Sequence, residues 1–370
     1  MSKILTQHSW IRYCSSKKYT RPAYFFLTQY LKVLLTILMA GYVLSIMAQE
    51  APTGSAVQPS DKERKALDSL KGTLKGLIVW STSRSNSKHD LWIMNADGTG
   101  PKQLTTGDAV DWFPRFSPKS DKVLFTRSKG GWVPESDAEY PEKWDLWVIG
   151  IDGGNEKKIV ENACWGVWYN SDSSIVFARR AQVFQKNLAT GEEKLLLDGE
   201  AALKKGVVVQ QPSLSPDGKY LAATLRGSMR ETGVWSFDKK EWTKTGGGCQ
   251  VQWFPSGSEI YWVNPTGNGG TAAPSEELAM TLKDGKPTES IGAIKKFHLM
   301  DLPGRRSHEY FPKFDQYGEY MVWGATDKGH DHDIYDYEIY LWKRGQPVES
   351  AVRLTFHTGN DRWPDIYITK

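Results

Sequence analysis

One short segment recurs six times in this 370-residue chain, and each copy alternates like a strand where a helix would show a longer spacing. The fullest copies are Phe113-Pro114-Arg115-Phe116-Ser117-Pro118, followed by Val123-Leu124-Phe125, and Gln211-Pro212-Ser213-Leu214-Ser215-Pro216-Asp217-Gly218, followed by Tyr220-Leu221-Ala222. Weaker copies are Val167-Trp168-Tyr169-Asn170, Gln252-Trp253-Phe254-Pro255 and Phe311-Pro312-Lys313-Phe314. Aligned on Phe116, Trp168, Leu214, Trp253, Phe314 and Ile366, the units are 52, 46, 39, 61 and 52 residues apart. A second segment, Asp90-Leu91-Trp92-Ile93-Met94 with Asp97-Gly98, returns as Asp145-Leu146-Trp147-Val148 with Asp152-Gly153. It returns again as Glu277-Leu278-Ala279 with Asp284-Gly285 and as Glu338-Ile339-Tyr340 with Arg344-Gly345. Each Xaa-Gly pair between strand-like runs marks a hairpin turn.

Every unit therefore reads as a four-stranded antiparallel meander. Six of them predict an all-β fold, a six-bladed β-propeller over residues 74–370. The two ends of the repeat complement each other. Leu77-Ile78-Val79-Trp80 matches a second strand, so the first unit lacks its innermost strand, whereas Trp363-Pro364-Asp365-Ile366-Tyr367-Ile368 is an innermost strand without a blade. Joining the C-terminal strand to the first blade closes the ring and removes open sheet edges.

Composition excludes several alternatives. With 16 Trp, 16 Tyr and 13 Phe the chain has ample surface to bury, and three cysteines do not make a disulfide scaffold. Six of the 47 Lys and Arg lie in residues 1–49, which carry no acid, so the remainder holds 41 against 43 acidic residues. Bulk charge thus gives no basis for nucleic-acid binding. The N-terminal cations precede an uncharged run from Val33 to Ala48, short for a membrane span and suited to export. Residues 1–48 read as a signal peptide cleaved after Ala48, or as an N-terminal anchor including residues 24–48. Both place the rest outside the cytoplasm, periplasmic or secreted, with membrane contact only through an uncleaved segment. Residues 49–73 read as a polar tether acting as a spacer. Its short helix is announced by the capping-box pattern Ser60-Asp61-Lys62-Glu63.

Over residues 74–370 the repeats resemble those of the TolB-like propellers, in segments such as Asp90-Leu91-Trp92-Ile93-Met94-Asn95-Ala96-Asp97-Gly98-Thr99-Gly100 and Pro212-Ser213-Leu214-Ser215-Pro216-Asp217-Gly218. Similar blades occur in the propellers of prolyl-oligopeptidase-type enzymes and of oligogalacturonate lyases, so the resemblance implies an architecture and leaves the activity open. The α/β domain that precedes the propeller of TolB itself is expected to be missing here.

The loops between second and third strands vary most, at 81–89, 128–143, 226–232, 264–275 and 325–335, and share a face with the crossings between blades. His89, His308, His330, His332 and His357 fall on that face, and ring closure is expected to gather several of them with Asp361. Innermost strands aligned at one register give Trp112, Cys164, Gln210, Cys249, Tyr310 and Arg362, preceded by Asp111, Glu309 and Asp361 as channel-mouth acids. The candidate binding residues are thus His89, Asp111, His308, Glu309, His330, His332, His357, Asp361 and Arg362. Of these, His330, His332, His357 and Asp361 have the chemistry for a divalent metal, the one cofactor the sequence suggests. Two unpaired thiols are expected at Cys164 and Cys249. Most tryptophans are expected between blades, with Trp112, Trp132, Trp144, Trp165 and Trp363 on a face.

The chain has no Gly-Xaa-Ser-Xaa-Gly elbow, P-loop or dinucleotide fingerprint. The reading favours a binding or scaffold module of the cell envelope over an enzyme. Its partner is expected to be an envelope or secreted protein, a polar small ligand or an oligosaccharide. The alternative is a metal-dependent carbohydrate-active enzyme, similar to the oligogalacturonate lyases, using the His/Asp cluster.

Overall fold

The computed structural model describes residues 54–85, 87–265, 276–282, 295–300, 308–329 and 331–370. The expected signal or anchor and His330 lie outside the described residues. Helix α1 (Asp61–Leu70) starts as its sequence predicts: the Ser60 hydroxyl accepts the Glu63 N–H at 3.3 Å, and the Glu63 carboxylate accepts the Ser60 N–H at 2.8 Å. Ala66, Leu67 and Leu70 pack against a core containing Leu341, Val352 and Leu354, Glu63 lies 3.5 Å from Arg353, and Ala56 bridges to His357. The apolar stripe is narrow, yet a narrow stripe suffices for docking on a surface that supplies the rest of the core.

The repeats fold into antiparallel meanders. The first comprises β1 (Gly76–Thr82), β2 (Asp90–Asn95) and β3 (Lys102–Gln103), and the second β4 (Asp111–Phe116), β5 (Lys122–Ser128), β6 (Trp144–Gly150) and β7 (Lys157–Glu161). The third comprises β8 (Cys164–Trp168), β9 (Ser174–Arg179), β10 (Gln182–Asn187) and β11 (Glu193–Asp198). A short helix α2 (Gly199–Ala202) precedes the fourth, with β12 (Val207–Leu214), β13 (Tyr220–Gly227), β14 (Glu231–Ser236) and β15 (Glu241–Gly246). Then come β16 (Cys249–Trp253), β17 (Glu259–Pro265), β18 (Glu276–Leu282) and β19 (Lys295–Met300), followed by β20 (His308–Phe314), β21 (Tyr320–Thr326), β22 (Glu338–Lys343) and β23 (Val352–Arg353), and finally β24 (Asp361–Ile368).

Among the described residues these strands form five hydrogen-bonded sheets, four of four strands and one of eight, where the sequence predicts six separate blades. The cause is local. A single parallel bridge between Glu276 and His308 joins β18 to β20, so that two successive meanders become one sheet. The fold is an all-β propeller of four-stranded antiparallel blades.

One irregularity recurs around the axis. In β4, β8, β12, β16, β20 and β24 the ladder passes over two residues facing one on the neighbouring strand, which is a β-bulge. The first of the two is left-handed each time: Phe113 (φ 54°), Trp165 (61°), Gln211 (50°), Gln250 (61°), Phe311 (61°) and Trp363 (54°). A left-handed non-glycine residue costs about 1–2 kcal/mol, so packing must hold each one. Proline follows at Pro114, Pro212, Pro312 and Pro364, where the interrupted ladder asks for no N–H.

The bulged side chains fill the axis. Phe113 meets Trp165 and Trp363 with ring centroids 5.0 Å apart, and Phe311 meets Trp363 at 4.5 Å. The Gln211 Oε1 accepts the Gln250 N–H at 3.1 Å, and the Gln250 Oε1 accepts the Phe311 N–H at 2.5 Å. Trp112, Trp144, Trp165 and Trp363, expected on a face, are buried in this plug. The bulge rotates the chain inward at that point, which strand alternation alone does not convey.

The ring closes as the sequence predicts. Strand β24 pairs antiparallel with β1 from Gly76 opposite Ile368 to Thr82 opposite Asp361. Ile366 and Ile368 are buried beside Ile78, Trp80 and Leu341. Ile366→Ala is expected to lower stability by about 2–4 kcal/mol in denaturant unfolding. Deleting residues 361–370 should leave a protein with no cooperative transition; a sharp, wild-type-like transition in the deletion would show that β24 does not hold the ring.

Candidate functional site

The face carrying the long loops is where the candidate residues lie. Asp111, His308 and Asp361 open β4, β20 and β24, and His332 and His357 sit in the loops before β22 and β24. The loop at 129–143 is the longest described segment between strands on this face. It folds into two short 3-10 turns, Glu135–Glu139 and Pro141–Lys143, and reaches the His332 loop and β24.

Glu135 makes that crossing specific. Its Oε1 lies 2.9 Å from His332 Nδ1, and its Oε2 accepts the Trp363 indole N–H at 2.8 Å and lies 3.3 Å from Arg362 Nη1. Arg362, fully buried, also pairs with Asp333 at 2.6 Å and donates to the His332 carbonyl at 3.0 Å. The Asp333 carboxylate in turn accepts the Glu135 N–H at 3.0 Å. Burial disfavours the charge on both acids. For Glu135 its contacts with His332 and Arg362 and the Trp363 donor outweigh burial, and its carboxyl lies below the usual carboxylate range. For Asp333 burial wins over Arg362, with the Glu135 charge adding to it, and its carboxyl lies above that range.

His89 lies at the edge of this clasp. It is fully buried, left-handed (φ 67°) and stacked on Trp132 with ring centroids 5.9 Å apart. Neither ring nitrogen has a hydrogen bond. Burial, then the Arg362 charge, hold the imidazole far below its ordinary value, and so neutral; the Asp333 main chain pulls weakly the other way without meeting hydrogen-bond geometry.

The remaining candidates are held in other groupings. Asp111 forms a two-pronged pair with Arg127, at 2.6 Å to Nε and 2.7 Å to Nη2; burial nonetheless raises its carboxyl, with Arg127 opposing. Asp361 takes the Trp80 indole N–H at 3.1 Å and pairs with Arg84 at 2.7 Å, whose guanidinium lies over Trp80 and Trp92. His357 Nδ1 accepts the Gly359 N–H at 3.0 Å, and the His357 main-chain N–H donates to Glu338, which also holds Arg353 and Thr355. Burial, then Arg84, lower the His357 imidazole, in keeping with a neutral acceptor nitrogen. Glu309 is buried at the start of β20 and His308 lies beside it.

The structure therefore joins His332 with Arg362 and sets His89 beside them. It places His357 near Asp361 electrostatically but gives the metal candidates His332, His357 and Asp361 different partners. Among the described residues no group of three His, Cys, Asp or Glu side chains is arranged to hold a metal ion. Neither Cys164 nor Cys249 forms a disulfide among the described residues. Sequence reasoning passed over Glu135, whose signal is the length of its loop. It also passed over Arg115, Lys313 and Asp365, although aromatic-Pro-charged-apolar recurs in Phe113-Pro114-Arg115-Phe116, Phe311-Pro312-Lys313-Phe314 and Trp363-Pro364-Asp365-Ile366. Among the described residues no helix is long and apolar enough to cross a membrane.

No family model matches the sequence. A curated relative from Agrobacterium fabrum, known as an uncharacterized protein, is 27% identical over 89 residues, covering 23% of this chain and 28% of its own length. Among solved structures, an oligogalacturonate lyase in complex with manganese aligns at a TM-score of 0.45 and 13% identity, covering 71% of this chain and 74% of its own. TolB from Acinetobacter baumannii aligns at a TM-score of 0.53 and 15% identity, covering 83% of this chain and 70% of its own. At that identity the likeness is one of fold, and the fold it supports is the TolB-like β-propeller.

Proposed function

We propose that this chain is an exported six-bladed TolB-like propeller that serves as a binding or scaffold module of the cell envelope and presents its long-loop face to a protein partner. The observation that carries this reading is the clasp of Glu135, His332, Asp333 and Arg362. The titratable groups at the mouth of the axis are tied to one another, which makes the face a fixed platform. A platform of this kind suits recognition, because little ordering remains to oppose binding. The count of six rests on the six left-handed bulges, one per innermost strand, with the eight-stranded sheet taken as two blades. An experimental density map with five meanders around the axis would remove that count. Export rests on the N-terminal cations and the apolar run up to Ala48; N-terminal sequencing of the protein from envelope fractions is expected to begin at Gln49.

Two exposed tyrosines give an internal comparison. Tyr140 belongs to the long-loop face and Tyr317 to a hairpin at the opposite end of the blades. A photo-reactive phenylalanine analogue at position 140 is expected to give a discrete adduct in envelope extracts, and the same group at 317 to give none. Adducts from 317 alone would reverse the choice of face.

The clasp itself carries a stability prediction. Glu135→Ala leaves Arg362 with one buried partner fewer and should cost about 3 kcal/mol. Because the folded state holds the Glu135 carboxyl below its ordinary 4.5, its contribution is complete above about that pH and declines as the pH falls through the lower folded value. The gap in melting temperature between wild type and variant should therefore narrow on acidification below pH 4.5. A gap that widens there would contradict the assignment.

A further inference from the structure

The long-loop end of the axis is filled, but the other end is not. A cavity of about 80 Å³ opens beneath the plug, bounded by Phe113 and Gln211 above and by Tyr169 toward the hairpin side. Among the described residues lining it, Lys313 is the sole charged side chain, and no carboxylate is present. Lys313 Nζ donates to Gln252 Oε1 at 3.0 Å, and Gln252 is turned that way because its Nε2 donates to the Pro312 carbonyl at 3.0 Å. Two of the three ammonium donors remain for the cavity. Gln211 uses its carbonyl oxygen on the Gln250 N–H, leaving its amide NH2 to face the same space.

The charges around this cavity do not balance. Arg115 occupies the place in β4 that Lys313 occupies in β20, and Asp365 the same place in β24. Arg115 is 4% exposed and lies 3.8 Å over the Phe113 ring; its Nη1 donates to the Pro114 carbonyl and its Nε has no partner. The Asp365 Oδ2 accepts the Phe116 N–H at 2.7 Å, and Asp365 forms no direct ion pair with either cation, acting on both through space. Tyr261, on β17, and Tyr169, in the cavity lining, are the other titratable groups here, and burial pushes both phenols up, so they stay neutral. Buried Arg115 and half-buried Lys313 thus face one carboxylate. An unmatched charge away from water is unfavourable unless a counter-charge joins it.

We propose that the axial cavity binds a small oxyanion, held by the Lys313 ammonium and the Gln211 amide, with Arg115 supplying the second positive charge. The site is independent of the long-loop face, since it opens at the opposite end of the axis. It accepts a group of few atoms, either a carboxylate or a tetrahedral oxyanion, free or at the end of a longer ligand.

The test is calorimetric titration of the full chain with sodium sulfate and, separately, sodium acetate, at constant ionic strength. Saturable binding of one anion per chain is expected, whichever of the two binds tighter naming the preferred shape. Lys313→Met should weaken it more than tenfold. Burial brings the Lys313 ammonium down to about 8, with Asp365 opposing and Arg115 adding. Sulfate keeps its charge over this range, so its affinity for the wild type should fall about tenfold between pH 7 and pH 9 as the ammonium deprotonates. This second measurement needs no variant. Absence of saturable binding, or equal salt stabilisation of wild type and Lys313→Met with no pH dependence, would overturn the proposal and leave the long-loop assignment untouched.

Discussion

Everything in this propeller is arranged around the left-handed bulge in each innermost strand. A regular strand alternates its side chains between two faces and, in a blade, would send them to the neighbouring blades. The bulge breaks that alternation once, so that Phe113, Trp165, Gln211, Gln250, Phe311 and Trp363 turn toward the axis. The strain of six such residues is held by what they meet: aromatic edges on one side and side-chain amides accepting main-chain N–H groups on the other. The aromatic half is packed and buried. The half with Gln211 and Gln250 leaves the room that becomes the cavity, so plug and cavity are two outcomes of one backbone feature.

Electrostatics divides along the same axis. At the long-loop end Glu135, Asp111 and Asp361 each have a cation within hydrogen-bonding reach. At the other end Arg115 and Lys313 outnumber Asp365, and neither touches it. Paired charges stiffen a structure, whereas unpaired ones mark a place where something else belongs. The first arrangement fits a recognition surface and the second a ligand cavity.

Much of this architecture is written in the chain's local pattern. The register that aligns Phe116, Trp168, Leu214, Trp253, Phe314 and Ile366 is kept in the structure, and each bulge lies three residues before its reference position, though the pattern itself does not announce it. The closing strand is equally legible, because Leu77-Ile78-Val79-Trp80 and Trp363-Pro364-Asp365-Ile366 are incomplete alone. The single bridge from Glu276 to His308 is not legible, since it depends on how closely two main chains approach. Nor is the choice of partner at the mouth. His332 and Asp361 look like ligands as residue types, but Glu135, Arg84 and Trp80 reach them from loops and strands with no fixed spacing to them. Trp165 and Trp363 turn into the plug because they are the bulge residues themselves, which a count of unbroken alternation does not show.

Ring closure also sets an order on how such a molecule comes together. Trp80 and Asp361 are bonded across 281 residues of sequence, and the strands that carry them are the seam of the ring. Synthesis delivers β1 first and β24 last, so the first blade waits through nearly the whole of elongation with an unoccupied edge. Helix α1, tied through Glu63 to Arg353, is another early segment whose mate arrives late. Nascent chains of this protein thus present open backbone for as long as translation lasts, and a chaperone that shields strand edges would act on them during that interval.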